Sequence, residues 1–324
     1  MIPIIDVKDL CKTYKYSKKW SFNPFKSKPL QRKSAVINLT FSIYPGEIVG
    51  YIGPNGAGKS TSIKMLTGIL KPTSGTITVS GYDPFENRQQ NAKNIGVLFG
   101  QRTQLWWDLP LIDTLELHRY MYKLPKEEFL IQLEWLFEIL ELKKIYKTPI
   151  RQLSFGQRMR CELAVTLLHK PSILYLDEPT IGMDVMVKRK IRQYLLEINK
   201  QENVTILLTS HDLQEIESIC NRIIIINRGE LLFDGTVEAL RQKYMPNSII
   251  TLKCKHTISN KVINRLSNFS KLEDGYIRFT INKHKEDSSI ISELYRSYEV
   301  IDLKITEPPF EDIVQTLYQE ENKK

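Results

Sequence analysis

The segment GPNGAGKST, residues 53–61, constrains the fold of this chain more than any other stretch of it. Glycine accepts positive φ and puts no side chain between backbone N–H groups and an approaching anion. Three glycines in so short a turn therefore shape a concave row of donors. The run that follows, KSTSIKMLTGIL, has helical spacing, and the positive end of that helix points at the same place. Ahead of the turn, EIVGYIG reads as a buried strand. Strand, glycine-rich turn and helix in that order make a phosphate cradle, with Gly53, Pro54, Asn55, Gly56, Ala57, Gly58 and Thr61 forming its wall. Lys59 would reach the β- and γ-phosphates, and Ser60 would offer its hydroxyl to Mg2+.

A cradle of this kind sits at the end of a sheet, and the rest of the chain supplies one. ILYLDE, TILLTS and RIIIIN are short aliphatic runs, each followed by polar or turn residues, which fits strands covered on both faces. Strand-like runs alternate with helical ones, the pattern of an α/β fold. Between residues 102 and 170 the character changes to successive helices (TLELHRYMYKLP, EEFLIQLEWLFEILEL and the helix after LSFGQ), read as a helical subdomain inserted into the α/β core. A boundary is expected at MPN, residues 245–247. Beyond it, SIITLKC, GYIRFTI and EVIDLKI look like strands, while VINRLSN, SSIISELYRSY and FEDIVQTLYQEE look like helices. The expectation is a nucleotide-binding domain over 1–245 and a small accessory α+β module over 246–324 without a catalytic constellation.

Several polar residues fall where a phosphate site would use them. ILYLDE ends in Asp177, suited to supporting Mg2+, and Glu178, suited to activating a water as general base. Gln101 follows the strand-like NIGVLFG and could sense the γ-phosphate, Mg2+ or the lytic water. His211 follows TILLTS and could hydrogen-bond the γ-phosphate. Tyr14 could stack on the adenine ring; for a tyrosine near a terminus, packing in the core is the alternative. His118, His169, His256 and His284 receive no role.

Taken together, these residues resemble the ATP-binding cassette (ABC) ATPases of transporters. GPNGAGKST is similar to the Walker A motif, Gln101 to the Q-loop, LSFGQ to the signature, ILYLDE to Walker B, IGMD at 181–184 to the D-loop and His211 to the switch histidine, in the family's order. FGQRTQLWWDLP and LSFGQRMRCELAVTLLHKP are similar to an exporter-type branch that includes daunorubicin-resistance-like ATPases. The resemblance implies a P-loop cassette that binds ATP with Mg2+ and dimerises head to tail. The Ser154, Gly156 and Gln157 turn of one copy would close on the ATP held by the other, and Asp184 would belong to the same interface. It also implies a separately encoded membrane permease as partner, and a place at the cytoplasmic face of the membrane. Phe155 stands where the family most often has glycine, and Ile181 where its D-loop usually begins with serine. Soluble relatives in translation or DNA repair carry a second cassette or long coiled coils, neither of which is present; an importer ATPase is the remaining alternative.

Charge and composition narrow the partners. The formal charge is +9, but seven basic residues and no acid lie between Lys15 and Lys33. That is one local insertion, not a basic protein, and it points away from nucleic acid. Trp20, Phe22 and Phe25 alternate with its lysines, so either an anionic lipid surface or plain solvent could face it. The four cysteines are scattered without a CxxC pair, which argues for reduced thiols and against zinc. The longest aliphatic run, residues 223–226, is far shorter than the roughly 20 residues of a spanning helix. MIPIIDVKDL lacks the features of a secretory signal. Trp106 and Trp107, just past Gln101, suit a socket for a permease helix; burial in the core is the other reading.

Overall fold

The computed structural model describes residues 2–16, 31–99, 103–244, 247–255, 267–271, 276–282, 295–296 and 298–322. The chain divides into two compact units, Met1–Gly235 and Thr236–Lys324. In the first, strands β1 (Ile5–Tyr16) and β2 (Gln31–Ile43) form an antiparallel hairpin, followed by β3 (Ile48–Ile52) and helix α1 (Lys59–Leu66). Then come β4 (Ser74–Val79), α2 (Arg88–Asn94), β5 (Ile95–Phe99), α3 (Leu111–Tyr122), α4 (Lys126–Ile139) and α5 (Phe155–Leu167). The unit closes with β6 (Ile173–Asp177), α6 (Val185–Glu202), β7 (Thr205–Thr209), α7 (Leu213–Ile219), β8 (Arg222–Asn227) and β9 (Glu230–Thr236).

Two sheets result: an antiparallel one in the order β2, β1, β4, and a six-stranded one in the order β5, β6, β7, β3, β8, β9. In the larger sheet the β5–β6, β6–β7, β7–β3 and β3–β8 pairs are all parallel. Every residue of β7 and nearly every residue of β3, β6 and β8 is buried, as the aliphatic runs require of strands covered on both faces. Helix α6 is different. It buries only Ile191, Tyr194, Leu195 and Ile198, spaced to make one apolar stripe. One core joins the two sheets through α1: Ile5, Val7 and Leu39 from the hairpin, Ile63 and Leu66 from the helix, and Val49, Tyr51 and Ile224 from the parallel sheet.

The second unit holds α8 (Val237–Tyr244), β10 (Asn247–Cys254), β11 (Ser267–Lys271), β12 (Tyr276–Asn282), β13 (Val300–Thr306) and the helix α9 (Phe310–Asn322). Its sheet runs β11, β12, β10, β13, with every pair antiparallel. Ile250, Leu252 and Phe279 are buried in it, as are Phe310, Ile313, Val314 and Leu317 of α9.

Two expectations are corrected here. The division falls before α8, not at residues 245–247, because α8 belongs with α9: Leu240 is fully buried, and the Arg241 guanidinium donates to the Pro308 carbonyl at 3.0 Å. The helix expected over VINRLSN does not hold at its end, since Ser267 opens strand β11 and pairs with Thr280 of β12, while residues 262–266 lie outside the described residues. The basic insertion falls mostly outside the described residues, Trp20, Phe22 and Phe25 included. Its flanks are the last rungs of the β1–β2 hairpin, with Lys15 opposite Arg32.

Candidate active site

The parallel register brings the site together at the C-terminal ends of β3, β6 and β7, the place where open α/β sheets hold ligands. Leaving β3, the chain turns through residues 53–58. Gly56 and Gly58 adopt φ of +81° and +109°, and a Cβ on Gly58 would stand 2.4 Å from the Ala35 carbonyl oxygen, so only glycine fits. The Lys59 ammonium folds back over this turn and donates to the carbonyls of Gly53 and Pro54, the latter at 3.2 Å. Burial lowers its pKa, opposed by the nearby carboxylates of Glu178 and Asp177. The cation is thus poorly hydrated and ready to exchange those carbonyls for an anion.

A cleft of about 290 Å³ opens above the turn, lined by Tyr14, Lys33, Ala35, residues 54–61 and Glu178. Tyr14 stands at its edge, about two-fifths exposed, so the tyrosine is not core. Lys33 is its cross-strand partner in the hairpin. Lys33, which in the sequence belongs to the basic insertion, reaches the cleft through its pairing with Tyr14. Gly53, assigned to the cradle wall, lies behind the cleft: a Cβ there would meet the Ile226 carbonyl oxygen of β8 at 2.6 Å.

Asp177 ends β6 and Thr209 ends β7, and the register sets them side by side. The Thr209 hydroxyl donates to Asp177 Oδ1 at 2.6 Å. The Glu178 N–H donates to the carbonyl and the hydroxyl of Thr209, both at 3.1 Å. Glu178 needs such restraint, because its φ of +56° is uncommon for a residue with a Cβ. Its carboxylate Oε1 lies 2.5 Å from His211 Nε2. His211, expected on the γ-phosphate, therefore has Glu178 as its partner in this structure. Gln101 lies outside the described residues, directly after β5, whose Phe99 pairs with Asp177.

The second turn is separate. Ser154, Gly156 and Gln157 do not line the cleft. They begin α5, where the Ser154 hydroxyl accepts from the Gln157 N–H and the Gln157 side chain accepts from the Ser154 N–H, a capping box. A Cβ on Gly156 would approach Val187 Cγ1 to 2.6 Å, so this glycine lets α5 pack against the start of α6. Asp184 caps α6 by accepting from the Val187 N–H at 3.0 Å. Phe155 and Ile181 are exposed.

Trp106 and Trp107 are both more than half exposed, so neither indole is core. Arg158 of α5 lies over the Trp107 ring at 5.1 Å. Another residue that the sequence did not flag, Glu162 of α5, is buried and accepts from the Thr103 hydroxyl and, at 3.1 Å, from the Gln104 N–H. Burial raises its pKa against the opposing pull of those bonds. It fastens the segment after Gln101 to α5.

Residues 36–181 match the family described as ABC transporter. The ABC transporter ATP-binding protein NatA of Bacillus subtilis is 33% identical over 64% of this chain and 83% of its own length. The chain belongs to the ABC transporter ATP-binding family. A second Bacillus subtilis relative of this family, the linearmycin resistance ATP-binding protein LnrL, is 34% identical over 68% of this chain and 70% of its own. A solved dimeric ATP-binding cassette in a post-hydrolysis state, bound to ADP and Pi, is 26% identical with a TM-score of 0.60, covering 72% of this chain and 98% of that one. This ABC cassette is an ATP-hydrolysing enzyme of the transporter type. Among the described residues, no helix is long and apolar enough to cross a membrane.

Proposed function

We propose that ATP lies in the cleft of one copy and is closed over by the α5 turn of a second, so that ATP binding closes and hydrolysis opens a head-to-tail pair that drives a membrane permease. One observation carries this reading. The cleft is lined by Tyr14, Lys33, Ala35, residues 54–61 and Glu178, while the capped turn that opens α5, Ser154 to Gln157, lies outside it. A second copy related by a twofold axis would present that turn to the open side. The Ser154 hydroxyl accepts in the cap and keeps its own proton to donate to the γ-phosphate.

In this reading Tyr14 packs on the base, the 55–61 amides and Lys59 hold the phosphates, and Glu178 takes the proton of the attacking water. His211 holds Glu178 in position. The donors for Mg2+ are the exposed Ser60 hydroxyl at the cleft and the Asp177 carboxylate behind it, with Gln101 as a third. These are hard oxygen ligands, few in number, as suits an ion bound largely through phosphate. When bound, Mg2+ neutralises charge on the β- and γ-phosphates.

The name of LnrL supports outward transport as the direction. The exposed Trp106 and Trp107 supply the apolar surface for a permease helix, at the cytoplasmic face of the membrane. Residues 15–33 are proposed to meet anionic lipid there; binding to vesicles that ignores anionic lipid content would remove that part.

The test is light scattering on Glu178→Gln protein with and without Mg-ATP. The mass should double with Mg-ATP, and adding Ser154→Arg should abolish the doubling while leaving ATP binding intact. A Glu178→Gln protein that stays monomeric around bound ATP, or hydrolyses at the parent rate, would overturn the reading.

A further inference from the structure

Beneath the hydrolysis site lies a carboxylate that the reading above does not use. Glu215, in the first turn of α7, is fully buried. Its Oε2 accepts hydroxyls from two separate loops, Thr180 Oγ at 2.7 Å and Ser210 Oγ at 2.6 Å, and both donors are themselves buried. Thr180 stands two residues beyond Glu178, and its carbonyl accepts from the Met183 N–H as the chain runs on to Asp184. Ser210 directly precedes His211, and its hydroxyl also accepts from the Asp212 N–H at 3.1 Å.

The position of Glu215 is fixed from its own side. Its N–H donates to Asp212 Oδ1 at 3.2 Å in the α7 cap, and Asp212 Oδ2 takes the Lys188 ammonium of α6 at 2.8 Å. Two hydroxyls sharing one buried carboxylate oxygen form short, charge-assisted bonds in a low dielectric, and such bonds rigidify what they join. Here they join the loop that carries Glu178 to the loop that carries His211.

We infer that Glu215 is a positioning residue for hydrolysis: its buried carboxylate clamps the Thr180 and Ser210 hydroxyls together and so fixes the 2.5 Å contact between Glu178 and His211. The clamp rests on the roles proposed above for Glu178 and His211. It acts on the geometry of those two side chains and leaves the phosphate cradle untouched, since Glu215, Thr180 and Ser210 do not line the cleft.

Steady-state ATP hydrolysis by the full chain, with a thermal melt beside each rate, tests it. Thr180→Val and Ser210→Ala each remove one donor with little change in volume. Each should lower kcat about tenfold while KM for ATP moves by less than about twofold, because misplacing a reacting group raises the barrier without weakening the ground-state site. Glu215→Gln keeps a carbonyl acceptor of the same shape and should retain most of the rate. Glu215→Met removes the acceptor and should fall to the level of the Thr180→Val/Ser210→Ala double variant and no further, since all three act through one contact. Parent kcat in both hydroxyl variants overturns the clamp, whatever their melting temperatures; so does a KM effect with kcat intact. If Glu215→Met does not fold, the two hydroxyl variants decide. Glu178→Gln is run alongside: turnover there at the parent rate removes the base assignment, while the clamp is still decided by its own variants.

Discussion

Thr209 shows how much one side chain can hold at the end of a parallel strand. Its hydroxyl donates to Asp177 and accepts from the Glu178 N–H, and it has no exposure to water. Thr209→Val keeps the shape and removes both bonds. It should cost about 1–3 kcal/mol, the penalty for leaving a buried polar partner unpaired. It should also lower kcat, because Glu178 loses a restraint on its left-handed backbone; chemical denaturation and a rate measurement on the same preparation check both. Lys59→Ala acts differently. The ammonium lies over the cradle's own carbonyls, so its loss should weaken ATP binding in a titration as well as ending turnover. That Lys59, Asp177, Glu178 and His211 gather at neighbouring strand ends was legible because each follows a strand-like run directly or through a glycine-rich turn. Lys33, Thr209 and Glu215 were not, because their positions depend on which strand or loop lies alongside, and no local spacing encodes that.

At the scale of the element, α5 carries three separate constraints. Its first turn is a capping box, its Gly156 faces Val187, and its Glu162 holds the segment at Thr103 and Gln104. Gly156→Ala would press a methyl group against a β-branched side chain whose χ1 is stiff in a helix. The overpacking should cost about 1–3 kcal/mol, and Val187→Ala should restore most of the loss in a double-mutant cycle read by thermal melting. A glycine needed only for an anion in another copy would show no such rescue. The same physical logic explains where elements were misread. The apolar spacing of VINRLSN suits a helix, but Ser267 is taken by the β12 edge, where ladder pairing outweighs local preference. The aliphatic strands of the parallel sheet carried a clear signal because both faces are covered. The hairpin of β1 and β2, exposed toward its tip, carried little.

For the whole molecule, acid stability and nucleotide binding each give a global readout. His169 stacks on Tyr122 with ring centroids 4.0 Å apart, and one ring nitrogen pairs with the Ile95 carbonyl. Burial pushes its pKa down to about 4, so the unfolded chain takes up the proton first as pH falls below the ordinary value of 6.5. Stability is then full above that value and is lost between it and about pH 4, by up to about 3 kcal/mol; His169→Gln should flatten that slope in denaturant titrations at several pH values. The two-unit organisation was legible from the change in character near residue 245, but its boundary was not, because the pairing of α8 with α9 is a contact across 67 residues of chain. The assembled pair makes the sharpest demand on the molecule. If the proposed cradle holds the nucleotide, bound ATP should slow amide exchange at residues 55–61 in a single copy, since their N–H groups would turn to phosphate. At a hundred times Kd the slowing should reach about a hundredfold. In Glu178→Gln protein with Mg-ATP, a second footprint should appear at residues 154–157, where α5 meets the other copy's nucleotide. Ser154→Arg should erase the second footprint and spare the first, since the two belong to different polypeptides. Both footprints persisting together in a protein held monomeric would place the α5 turn on its own chain's ATP, and the twofold arrangement would fall.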